Sequence, residues 1–166
     1  VRKFDKKGIT MRLKHLFYGV PAALFALGCG AAFAGKTVDH AGTIACVVDK
    51  WDEKEMAKGH KLADSVFRCV LIPDDATAPK ASETCAGHYE YMPDGSWKGT
   101  GNCTDKYPDG EITLIWEEGS HLKDYVYKKT GGTGKYQGVS GSGTYMYESL
   151  TDELLGGRYK GTLELP

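Results

Sequence analysis

Thr130-Gly131-Gly132-Thr133-Gly134-Lys135-Tyr136-Gln137-Gly138-Val139-Ser140-Gly141-Ser142-Gly143-Thr144-Tyr145 decides the reading of this chain. Its glycines fall between two aromatic-rich alternating runs, Tyr125 to Lys128 and Tyr145 to Glu148, so it reads as a glycine-shaped connection between two strands. A phosphate-cradling loop would need a helix to follow, whose N-terminal N–H groups receive the anion. Thr144-Tyr145-Met146-Tyr147 is a strand pattern instead, and the Gly-x-x-x-x-Gly-Lys-Ser/Thr spacing is missing, so nucleotide binding is disfavoured.

Outward from this loop the sequence predicts strands near 41–50, 64–72, 83–92, 96–105, 111–118, 121–129, 142–149 and 157–165, with one helical turn from Asp52 to Ala57. Short strands at regular spacing, punctuated by Gly and Pro and without helical periodicity, argue for an all-β barrel or sandwich. Pro93-Asp94-Gly95 suits a three-residue turn with Gly95 left-handed, which sets Cys85 opposite Cys103, Tyr89 opposite Gly99 and Tyr91 opposite Trp97. Glu90 and Lys98 then share the solvent face with His88. A two-residue Asp109-Gly110 turn carries the inner face to Ile112, Leu114 and Trp116. A two-residue Gly119-Ser120 turn continues it through His121, Lys123, Tyr125 and Tyr127, and pattern alone adds Tyr145, Tyr147, Tyr159, Leu163 and Leu165.

At the N-terminus, Met11 to His15 is basic, Leu16 to Leu27 is apolar, and Ala32-Phe33-Ala34 precedes Gly35 as a small-x-small cleavage site. Residues 1–34 therefore read as a secretory signal peptide with an upstream extension, and 35–166 as one barrel domain, periplasmic or secreted. Membrane contact is expected only through that segment if uncleaved. Cys29 is a weak lipoprotein cysteine. Without residues 1–34 the chain keeps fifteen Lys and Arg against twenty-one Asp and Glu, a net charge of −6. An acidic domain without a basic stripe repels phosphate backbones, so no nucleic-acid partner is expected. Cys46, Cys69, Cys85 and Cys103 remain, an even number in an exported chain, and predict two disulfides. The hairpin register joins Cys85 to Cys103, which leaves Cys46 with Cys69.

The inward set is rich in Tyr and Trp with glycines opposite. An interior of this size either packs solid or holds one small molecule. In the second case Tyr89, Tyr91, Trp97, Trp116, Tyr125 and Tyr127 would line a site for a small hydrophobic or aromatic ligand. Glu118 and His121 flank the Gly119-Ser120 turn and are the acid–base candidates for an isomerase or cyclase, because a carboxylate beside an imidazole can orient it for proton transfer. A third reading is a non-catalytic structural or interaction protein of the cell envelope. Asp105 also points inward in this register, and a turn-capping role before Pro108 explains it. No metal and no cofactor are expected. The histidines are scattered, and Asp105 to Glu111 carries Tyr107 where a calcium loop needs a ligand. Gly141-Ser142-Gly143 lacks the strand-to-helix setting of a nucleophile elbow.

The glycine stretch resembles the Gly-Gly-Thr-Gly-Lys-Phe-type segment of plant dirigent proteins and allene oxide cyclases. Together with Cys85-Ala86-Gly87, Gly101-Asn102-Cys103 and Pro108-Asp109-Gly110 it is similar to small bacterial exported proteins of that barrel group. The resemblance implies a calycin-like, eight-stranded antiparallel barrel. It also implies a homotrimer and a lumen that confines a reactive apolar molecule.

Overall fold

The computed structural model describes residues 35–166. The signal-peptide and Cys29 readings lie outside the described residues. Eight antiparallel strands follow one another around a closed barrel in chain order: β1 (Lys36–Ala57), β2 (His60–Pro73), β3 (Ala81–Tyr91), β4 (Trp97–Tyr107), β5 (Gly110–Gly119), β6 (Tyr125–Gly132), β7 (Ser140–Ser149) and β8 (Leu154–Leu165). Closure comes from β1 pairing with β8, Lys36 opposite Leu165 through Val47 opposite Leu154. No strand edge of the barrel wall is left unpaired along this seam, which removes the main route to edge-to-edge aggregation.

Alternation along the strands buries one face. On β3 the residues Ala81, Glu83, Cys85 and Tyr89 are buried while Ser82, Thr84, Ala86 and His88 are exposed. The β3–β4 register is the one its turn dictates: Cys85 faces Cys103, Tyr89 faces Gly99 and Tyr91 faces Trp97. Gly95 holds φ +84°, where only glycine is unstrained. Cys85–Cys103 and Cys46–Cys69 are both disulfide-bonded across neighbouring strands. Such bonds persist in an oxidising, extracytoplasmic environment.

Three local expectations are corrected. Asp52 to Ala57 is not a helical turn. It continues β1 as an antiparallel partner of β2, Trp51 opposite Ser65 through Ala57 opposite His60, because Lys58-Gly59 makes a two-residue hairpin with Gly59 at φ +75°. The turn after β4 uses Pro108 and Asp109, with Tyr107 opposite Gly110, so Cys103 faces Leu114; the shift of two keeps the inner face unchanged. The β5–β6 connection is longer than two residues. Ser120 N–H donates to the Trp97 carbonyl and Leu122 N–H to that of Gly119, so the chain stays pinned to β4 and re-enters the sheet only at Tyr125. Trp116 then faces Tyr127, and His121 and Lys123 are exposed rather than inward.

The glycine-rich stretch ends β6, forms a short 3-10 turn at Gly134–Tyr136 and begins β7. Tyr136 and Val139 fold inward and pack with Ile112 and Leu163, sealing one end of the barrel. The opposite end is ringed by half-buried Tyr91, Trp97, Tyr125, Tyr145 and Tyr147. Trp51 joins this rim, its ring tilted against Tyr89 with centroids 5.0 Å apart, because a bulge between Val48 and Lys50 moves the odd residues of β1 to the inner side.

Between floor and rim, bulky rings lie over glycines. Trp116 covers Gly87 and Gly101, and Tyr89 covers Gly99; a Cβ at any of these three would collide with the ring. Overpacking of a closed interior has no cheap relief, because each neighbour is already in contact. Gly101→Val is accordingly expected to lower unfolding stability by about 1–3 kcal/mol and to change the near-ultraviolet dichroism of Trp116. Urea unfolding and dichroism of the variant check both, and an unchanged spectrum would contradict this packing.

Candidate functional site

The interior has polar groups at two levels and apolar walls between. At the rim level Glu118 occupies the last inward position of β5 and is 3% exposed. Three phenols from β3 and β7 donate to its carboxylate: Tyr145 to Oε1 at 2.7 Å, and Tyr147 and Tyr89 to Oε2 at 2.6 and 3.1 Å. Loss of hydration raises the Glu118 pKa, and the three hydrogen bonds oppose that rise without cancelling it. Burial and the nearby carboxylate raise the phenols in turn, so all three remain protonated donors.

Near the sealed end a second polar cluster is built from four strands. Lys129 of β6 donates to Asp105 Oδ2 of β4 at 2.6 Å, with both side chains essentially without solvent contact. Glu83 of β3 lies opposite Asp105 in the ladder. Burial, then the negative charge of Asp105, push the Glu83 pKa well above the ordinary carboxylate range. With Glu83 ionised, Asp105 Oδ1 would be a buried acceptor with no donor among the described residues. A protonated Glu83 supplies that donor, so the two observations have one explanation. His40 of β1 packs at a tilt against Tyr159 with ring centroids 4.9 Å apart, and its Nδ1 is 3.3 Å from the Tyr127 hydroxyl. Desolvation, then Lys129, lower its pKa to about 4, so it is neutral at neutral pH. The cluster therefore contains one cation, one anion and two neutral groups.

A cavity of about 70 Å³ lies between the two levels, walled by both disulfides, Phe67, Leu71, Leu114 and Trp116 and reached by Glu118, Glu83, Lys129 and His40. It exceeds what a single water requires and falls below the roughly 300 Å³ of pockets that enclose larger ligands. A bulky guest requires the partly exposed rings of the rim to move.

Of the residues read from sequence, Tyr89, Trp116 and Tyr127 are buried in the inner core, with Tyr91 and Trp97 packed against it. Tyr125 contacts Trp97 and Tyr145 at the rim. The expected Glu118–His121 pair does not form. His121 folds over Gly119 on the exposed side and its Nε2 lies 3.2 Å from Glu117 Oε1, since the longer β5–β6 connection carries the imidazole away from the inner face. Glu83, Lys129 and His40 were missed, although each has the inward parity of a neighbouring Cys or Tyr. Among the described residues, Cys69, Glu83 and Cys85 have ligand atoms close enough to share an ion, but both sulfurs are committed to disulfides and offer no thiolate.

The raised Glu83 pKa has a thermodynamic consequence. Above the ordinary carboxyl value of 4.5 the unfolded chain releases this proton while the folded protein retains it, so Glu83 contributes stability at low pH that is lost as pH rises. Glu83→Gln keeps a donor toward Asp105 and does not titrate. Its stability relative to the parent is expected to increase steadily from pH 4.5 toward neutrality in urea titrations, and a pH-independent difference would mean Glu83 is ionised in the fold.

No protein-family profile and no curated protein matches the sequence. Among solved structures, a protein of unknown function from the DUF3224 family of Shewanella oneidensis superposes with TM-score 0.53 and 11% identity, over 79% of this chain and 98% of that one. A heme-binding cyclase of neoabyssomicin biosynthesis gives TM-score 0.51 and 10% identity, over 80% and 68%. A pterocarpan synthase dirigent protein gives 0.50 and 12%, over 79% and 92%. At these identities the likeness is one of fold. The chain thus has the closed eight-stranded barrel of the allene oxide cyclase and dirigent-like group.

Proposed function

We propose that this protein, acting outside the cytoplasm in the periplasm or as a secreted protein, binds a small hydrophobic or aromatic molecule inside its barrel. The observation that carries the reading is the apolar cavity held between a rim of aromatic rings and a sealed floor. Aromatic faces and disulfide sulfurs give such a guest polarisable contacts, and the disulfides fix four of the eight strands around it. Native mass spectrometry of the protein purified gently from its own compartment is expected to show an added small-molecule mass that disappears on denaturation. A stripped protein that also fails to take up any single-ring aromatic compound would refute the proposal.

A catalytic version of the same reading rests on Glu118. It reaches the cavity, burial raises its pKa above the ordinary carboxyl value, and three phenols hold its orientation. Such a carboxyl can pass a proton to or from a confined apolar substrate, as an isomerase or cyclase requires. His121 has no part in this, because it lies outside with Glu117. The neighbouring cyclase catalyses a 4 + 2 cycloaddition, so this barrel architecture is compatible with confinement of a reacting molecule. Once a turnover is found, Glu118→Gln is expected to reduce it by about 10²–10⁴-fold with the guest still bound, whereas His121→Ala leaves it unchanged.

A further inference from the structure

Two donors in the cavity wall are buried without a partner among the described residues. They are the indole Nε1 of Trp116 and the hydroxyl of Tyr159, residues 6% and 5% exposed. Both residues line the cavity, and so does Lys129, whose ammonium has three N–H groups and one recorded acceptor, Asp105. An unsatisfied buried donor costs on the order of the hydrogen bond it forgoes, and several around one space make that space selective for whatever completes them. The rim is the reverse case, since Glu118 already accepts three hydrogen bonds.

Building on the proposed lumenal binding, we propose that the ligand is a flat, uncharged carbonyl compound. Its oxygen enters the lower cavity and accepts hydrogen bonds from Trp116 and Tyr159, with Lys129 adding positive potential, while its hydrocarbon part lies against Phe67, Leu114 and the disulfides. Charge decides between a carbonyl and a carboxylate. Asp105 already balances Lys129, so an anionic guest would bury a negative charge without a counterion. A hydrogen-bond donor such as a phenol or amine would meet mostly other donors at this level.

Acetophenone and α-methylstyrene test the inference, because they share a planar shape and differ in C=O against C=CH2. Both are titrated into the full disulfide-bonded protein while the indole N–H resonances of its three tryptophans are followed. Acetophenone is expected to bind roughly tenfold more tightly or better and to move the Trp116 N–H resonance downfield, which α-methylstyrene does not do. In Tyr159→Phe the advantage of the ketone should shrink with α-methylstyrene affinity unchanged. Because the lost hydroxyl had no partner, the unfolding midpoint of this variant without ligand should not fall. Equal affinity for the two compounds, or an unmoved Trp116 resonance, overturns the carbonyl assignment and leaves lumenal binding standing. A fall in the Tyr159→Phe midpoint also overturns it, since the hydroxyl would then be satisfied within the protein. Binding of neither compound also overturns the carbonyl assignment, and lumenal binding is then decided by the native mass measurement.

Discussion

Closing eight antiparallel strands forces every second side chain into one small shared interior, and the rest of this structure answers that constraint. The interior is filled by pairing large with small. Trp116 lies flat over Gly87 and Gly101 on strands β3 and β4, and Tyr89 lies over Gly99. These seats let rings of that size enter a barrel that could not close around bulkier neighbours. They also fix the walls of the cavity, so any chemistry inside depends on glycines that carry none.

Ionisable groups in such a space need partners, and the two polar levels meet the requirement differently. At the rim, one carboxylate is served by three phenols, a donor count that leaves it little need for water. At the floor, Asp105 is shared between an ammonium and a carboxyl that retains its proton. A lone Lys129–Asp105 pair would leave one oxygen without a donor, and a buried ion pair with an unsatisfied atom is a poor source of stability. Glu83 completes the arrangement by staying neutral. Replacing all three with hydrocarbon would fill the floor at lower desolvation cost, so the cluster is a weak source of net stability.

Most of the architecture was legible because turns fix register. Pro93-Asp94-Gly95 sets one hairpin, that hairpin places Cys85 at the level of Cys103, and parity carries the inner face through β5 to Trp116 and on to Tyr127. The glycine stretch announced a connection, but nothing local showed that Tyr136 would turn inward and plug the barrel. The Asp52–Ala57 error has a clear origin: a run of Glu, Lys, Met and Ala has high intrinsic helix propensity, and here that segment is a hairpin arm with both faces wet. Lys129, Glu83 and His40 were present in the same parity argument and were passed over because charged residues are expected outside. The informative signal was the exception itself, an ionisable residue at an inward position, on three separate strands.

The sulfur atoms complete the picture of the walls. Both disulfides lie in the cavity lining, where surface bridges would have stapled the same strands equally well. Placed inside, each bridge removes two polar thiols and presents a polarisable, apolar face to the lumen. Apart from the indole N–H of Trp116, the wall between the two polar levels then carries no group that titrates or donates. From Glu118 toward Lys129 the lumen presents hydrocarbon, sulfur and aromatic faces, with polar groups again at the floor. The polarity difference between the two levels adds to the direction already given by the Tyr136 and Val139 plug at one end.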